Sequence, residues 1–188
     1  TIGASEQITT GIFHRLTGAL TSHGLQIRSA QIPTLADGLV LDRFWVHDPD
    51  YAAEPPPERL TAVNRSLIQS LREPDAQRPS FRRTWQLGNH HAVSGPGLRT
   101  QVNTDNSTSS HYTIVDVITM DRTGLLYAIT RTLYEMELSV WRAKIGTHLD
   151  QVVDVFYVTD RQDRKISDQG RLDEVRRRLI EVIDAPSA

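Results

Sequence analysis

The sequence predicts an α+β fold of two small antiparallel sheets, each with two helices on one face. Three observations predict it: an internal repeat, the order of strand and helix patterns within each copy, and a turn-rich stretch between the copies. The repeat pairs Gly11, Ile12, Phe13, Leu16, Thr17 and Leu20 with Gly124, Leu125, Leu126, Ile129, Thr130 and Leu133. At the same offset Leu25, Ala30, Ile32 and Thr34 match Leu138, Ala143, Ile145 and Thr147. After one extra residue in the first copy, Asp42, Phe44, Val46 and Asp48 match Asp154, Phe156, Val158 and Asp160. Arg59, Leu60, Val63, Leu67 and Ile68 then match Arg171, Leu172, Val175, Leu179 and Ile180.

The first copy opens on a strand at Thr1 to Ser5, continues with a helix at Gly11 to Ser22 and a hairpin at Gln26 to His47, and closes with a helix at Glu58 to Arg72. Its first strand is short and no initiator Met precedes it, as expected of a C-terminal piece of a longer protein. Residues 74–111 read as a linker rich in Pro, Gly and polar residues, with an edge strand near 98–104.

In the second copy, Tyr112 to Ile118 is β-branched and reads as a strand, and Leu125, Leu126, Ile129, Leu133 and Met136 form one helical stripe. Ser139 to Thr147 and Val152 to Thr159 form the next hairpin. Leu172, Val175, Leu179 and Val182 give the last helix, about Arg171 to Ile183, its apolar face. Val152, Phe156 and Val158 alternate with Val153, Val155 and Tyr157, so both faces of that strand are apolar and the face away from the helices should find a cover.

Composition narrows the function. With 21 Lys and Arg against 23 Asp and Glu, the net charge of -2 argues against a sequence-independent grip on nucleic acid, and no apolar run is long enough to span a membrane. The absence of Cys removes thiolate chemistry and Cys-ligated zinc, and it suits a reducing cytoplasm. His90, His91 and His111 lack a carboxylate at metal-ligand spacing, so no metal site is expected. Arg176, Arg177 and Arg178 lie among Asp173, Glu174 and Glu181 as a solvated helix face. Asp42 and Asp154, in apolar strands, call for a structural partner or an exposed face.

The order strand, helix, strand, strand, helix in tandem resembles ferredoxin-like (βαββαβ) ACT domains at 1–73 and 112–188. It resembles in particular the C-terminal pair of the bifunctional PII uridylyltransferase/uridylyl-removing enzymes of bacterial nitrogen control. The second copy carries Asp121-Arg122-Thr123-Gly124-Leu125-Leu126, Ala143-Lys144-Ile145-Gly146-Thr147 and Asp154-Val155-Phe156-Tyr157-Val158-Thr159-Asp160, close to the stretches typical of that family. Thr123 stands where the family usually has proline, and no Asp-Arg precedes Gly11. The resemblance implies a cytoplasmic regulatory piece without catalytic residues or a cofactor of its own. It also implies missing catalytic domains that use Mg or Mn, PII as the parent's substrate, and glutamine as the sensed amino acid.

The turn before the second copy's first helix is the expected ligand site. A helix start offers unpaired N–H groups and partial positive charge to a carboxylate, and Gly124 allows close approach to the backbone. Asp121 can pair with an ammonium group, and Arg122 with a second polar group or with the neighbouring copy. The site comprises Asp121, Arg122, Thr123, Gly124, Leu125 and Leu126, with Ser139 and Val140 on the facing strand. A weaker site is expected at Thr10, Gly11 and Ile12. The alternative is a purely structural turn, in which Asp121 or Thr123 caps the helix and the pair only holds or dimerises its parent. A self-contained enzyme is the weakest option, since the chain has no Walker-type loop and no Ser-His-Asp order.

Overall fold

The computed structural model describes residues 1–5, 11–32, 39–73, 79–81, 99–148 and 151–185. Its elements are β1 (Ile2–Ser5), α1 (Ile12–Ser22), β2 (Gln26–Gln31), β3 (Leu39–His47), α2 (Pro57–Arg72) and β4 (Gln101–Asp105), followed by β5 (Thr113–Met120), α3 (Leu125–Glu135), β6 (Ser139–Lys144), β7 (Thr147–His148), β8 (Gln151–Thr159) and α4 (Gln169–Asp184). The fold is α+β, with four helices and one antiparallel sheet ordered β1-β3-β2-β6-β8-β5-β4, β7 pairing with β8 off that path.

Positions related by the sequence repeat meet at the middle of the molecule. Ala30 of β2 pairs with Ala143 of β6, each 1% exposed, and this seam makes the sheet continuous. In the helix layer above, Thr17 Oγ1 lies 3.1 Å from Thr130 Oγ1, both buried where α1 packs on α3. Alanine at the seam leaves room for Leu16, Ile129 and Leu133, all fully buried, to fill the space between seam and helices.

The helix starts differ. Gly11 and Gly124 precede α1 and α3 in the left-handed region, at φ 68° and 79°, and neither helix has a side-chain cap. The alternative in which Asp121 or Thr123 caps α3 thus gives way to a glycine turn. At α4 Asp168 does cap, its Oδ1 accepting from Arg171 N at 2.8 Å. The chain leaves α1 through Gly24, φ 74°, and the matching residue after α3 is Glu137, held at φ 61°. α2 begins at Pro57 and buries no residue fully. Leu67 and Leu71 lean on the core, while Leu60 and Ile68 face outward, 52% and 43% exposed.

Two expectations change. The strand at the outer edge of β5 is β4, which precedes β5 in the chain, so among the described residues no strand follows α4 to complete a βαββαβ order. β4 extends the sheet because its backbone lies antiparallel to β5 from Gln101↔Ile118 to Asp105↔Ile114 and its Val102 is buried. Nor does any described element cover the sheet face away from the helices: Val153 is 45% exposed, and Val155 and Tyr157 are half-buried.

Candidate functional site

The turn at 121–124 follows β5 and feeds α3. Gly124 is left-handed, no side chain caps α3 and no acid stands in its first turn, while Gly124, Leu125 and Tyr127 are themselves buried. Two backbone bonds hold the turn, Leu125 N donating to Arg122 O and Ala128 N to Gly124 O. Asp121 and Thr123 are exposed.

Arg122 points the other way. Its Nη2 donates to Val182 O at 3.1 Å, placing the cation at the C-terminal end of α4, where the helix dipole favours it. Its Nε is buried without a hydrogen-bond partner, and burial lowers the pKa of the guanidinium. Thr100 Oγ1 reinforces the junction, lying 2.9 Å from Thr119 Oγ1 and donating to Asp184 Oδ1 at 2.6 Å. Arg122 thus anchors the turn to α4.

Behind the turn lies Asp154 of β8, 1% exposed and on the helix side of the sheet. Its Oδ1 accepts from Gly146 N at 3.2 Å. Burial pushes its carboxyl up to about 7, against the pull of the Gly146 bond and with a smaller push from the charge of Asp121. The structural partner expected for Asp154 is therefore the Gly146 amide. Asp42, its counterpart on β3, is equally buried.

Aromatic side chains cover both glycine turns. An ideal Cβ on Gly124 would lie 2.7 Å from Phe81 Cε2, so the ring of this linker residue sits directly against the turn. Phe81 also packs edge-on against Tyr127, with ring centroids 5.5 Å apart. At Gly11 the cover comes from the helices themselves, where a Cβ would lie 2.3 Å from His14 Cε1 and 2.9 Å from Tyr134 Cδ2. His14 lies against Tyr134 with the rings tilted by 30° and their centroids 4.6 Å apart, and burial, ahead of the charges of Arg15 and Arg131, lowers its pKa to about 4.

The expected residues are only partly brought together. Asp121 to Leu126 form one turn, but Ser139 and Val140 are far from it. Met120 pairs with Gln151 at one end of β8 and Ser139 with Thr159 at the other, about 26 Å apart at the usual strand rise. Ser139 sits at the end of the sheet that carries Gly11 and Ile12, and Lys144, Ile145 and Gly146 take its place near Asp121. Thr10, His90 and His91 lie outside the described residues, and His111 is exposed beside Tyr112. Sequence reasoning missed Phe81 and His14; the small residues Gly18 and Gly124, which leave room for Pro79 and Phe81, were the available signal.

Residues 101–187 match a family described as ACR9-like, ACT-like domain. Over most of its length the chain is similar to bifunctional uridylyltransferase/uridylyl-removing enzymes. That of Gluconobacter oxydans is 34% identical over 90% of this chain and 18% of the enzyme. The enzyme of Azospirillum brasilense is 32% identical over 95% and 19%, and that of Ruegeria pomeroyi 33% identical over 80% and 16%. The chain therefore spans about a fifth of the length of these relatives. A solved structure of an unknown protein from Galdieria sulphuraria aligns with 96% of this chain and 86% of that one at 16% identity and TM-score 0.29, too loose an overlay to carry an argument.

Proposed function

We propose that this chain is the regulatory region of a bifunctional uridylyltransferase/uridylyl-removing enzyme, built as two ACT-type modules at 1–73 and 112–188, and that the turn at Asp121 to Leu126 receives a free amino acid, glutamine. The modification and removal reactions on PII belong to domains outside this chain. The observation that carries the reading is the similarity to such enzymes over most of the chain. The two-module reading draws support from the repeat, whose related positions Ala30 and Ala143, and Thr17 and Thr130, meet in pairs.

The uncapped start of α3 supports a carboxylate-binding role: N–H groups without a side-chain cap and a partial positive charge suit the ligand carboxylate, and exposed Asp121 suits its ammonium. Arg122 serves the site indirectly. Its bond to Val182 O links the turn to α4, so a shift of the turn is felt at a helix end. A ligand moves such an equilibrium only by its differential affinity for the two arrangements, and about 1–3 kcal/mol of coupling changes activity several-fold.

The cover of Phe81 over Gly124 favours a second reading, a structural pair whose turn is closed for good. Calorimetric titration with glutamine separates the two. The sensing reading expects saturable heat in the wild type and a loss of about 1.5–3 kcal/mol of binding in Asp121→Ala. The structural reading expects no saturable heat in either protein.

A further inference from the structure

The open face of the sheet carries an ordered charge pattern. One row crosses it from Arg43 through Gln31 and Arg142 to Tyr157, Ile114 and Asp105, each residue registered with the next. The adjacent row runs from Lys144 through Val155 to Asp116 and Asn103. Thr113, Val115 and Val117 face the helices fully buried, so Asp116 lies on the open side; Lys144 is also there, its Nζ 6.0 Å from the centroid of the Tyr157 ring.

Cations thus stand on β6 (Lys144, Arg142) and β3 (Arg43), neutral Gln31 on β2, carboxylates on β5 and β4, and β8 between them presents Val153, Val155 and Tyr157. Lys144, Arg142 and Arg43 make no ion pair among the described residues, and neither does Asp116. Burial and the charge of Asp105 both raise the Asp116 pKa, as expected where no cation answers it.

We propose that a second copy of this chain docks on this face about a two-fold axis lying along β8, so that Lys144 of each copy meets Asp116 of the other. Such an axis keeps each row in register while exchanging β6 with β5 and β2 with β4. It lays Lys144 of each copy over Asp116 of the other, sets Arg142 over Ile114 and Gln31 over Asp105, and brings the apolar strip of β8 onto itself. An unrelated acidic or basic partner would require one sign of charge across the face, and this face carries both. Five strands at about 4.8 Å spacing and five residues at about 3.4 Å give roughly 400 Å² per copy, about half the area that each partner buries in a standard specific interface. The dimer is accordingly weak and concentration-dependent.

Sedimentation equilibrium on the full 188-residue chain, from about 1 to 300 μM at low and high salt, tests this. A reversible monomer–dimer equilibrium, weakened by salt, is expected. Lys144→Glu and Asp116→Lys should each weaken it at least tenfold, and the double variant should restore much of the loss because its opposite charges still meet. Val155→Lys, its folding checked by circular dichroism, should abolish it. A monomer throughout, a dimer indifferent to these variants, or a double variant no better than the singles would overturn the proposal. All four outcomes are independent of glutamine binding.

Discussion

Phe81 and Gly124 occupy one another's space: the ring stands where any side chain at position 124 would begin, 2.7 Å from the ideal Cβ. The glycine therefore answers two demands, a left-handed backbone at φ 79° and the approach of a linker aromatic.

Gly124→Val tests both demands together. A β-branched residue in the left-handed region costs about 1–2 kcal/mol, and the collision with Phe81 adds to it, for an expected loss of about 2–4 kcal/mol in urea unfolding. Adding Phe81→Ala should recover the collision part and leave the backbone part. A double variant as unstable as Gly124→Val would mean that the ring does not press on the turn.

Phe81→Ala alone bears on ligand access. On the glutamine reading the ring competes with the ligand for the Gly124 backbone, and removing it raises the fraction of open turns. Calorimetry should then give a dissociation constant about 3 to 10 times lower than wild type. An unchanged constant would place the ligand away from Gly124.

Asp154 makes stability fall with rising pH. Its carboxyl titrates near 7 in the folded chain and near the ordinary 3.8 when unfolded. Below pH 4 both states are protonated and nothing is lost. Between 4 and 7 the unfolded chain ionises first, and stability drops by an amount on the order of 4 kcal/mol by pH 8. Asp154→Asn keeps an oxygen for the Gly146 amide. Thermal melts from pH 5 to 8 should show a falling Tm in the wild type and a flatter one in the variant; parallel curves would assign the loss to other groups.

Glu137 pays for a left-handed conformation that its repeat partner Gly24 adopts without strain. Its ion pair with Arg161, 3.3 Å and largely exposed on both sides, offsets little of that cost. Glu137→Gly should raise stability by about 0.5–1.5 kcal/mol in urea unfolding, since it relieves the strained helix end. A destabilised variant would show that the side chain matters more than the φ angle.

How far the sequence reaches depends on the range of the physics. Leu125, Ile129 and Leu133 announce α3 through local spacing, and the repeat carries the same pattern to Ile12, Leu16 and Leu20 of α1. The glycine turn at 121–124 was readable for the same reason. Ser139 was misplaced because a strand's direction relative to a distant turn is set by pairing order, and the order β6-β8-β5 is a property of the assembled sheet. Arg122 and Asp154 take their roles from Val182 and Gly146, partners that no local pattern names. Phe81 lies in a stretch whose composition reads only as linker, so its seat on Gly124 depends on contacts across forty-odd residues of chain.

The origin of β4 bears on how this molecule can be dissected. A fragment beginning at Tyr112 keeps β5, α3, β6, β8 and α4 yet discards the strand that closes β5, leaving the N–H and C=O groups that β4 had paired between Ile114 and Ile118 facing solvent beside buried Val115 and Val117. Unsealed strands of this kind recruit other strands, so such a fragment is expected to precipitate or swap strands with its neighbours. Starting at Arg99 retains both the strand and the Thr100 hydroxyl bonds to Thr119 and Asp184, although it still opens the edge of β6 that β2 covers at Ala30 and Ala143.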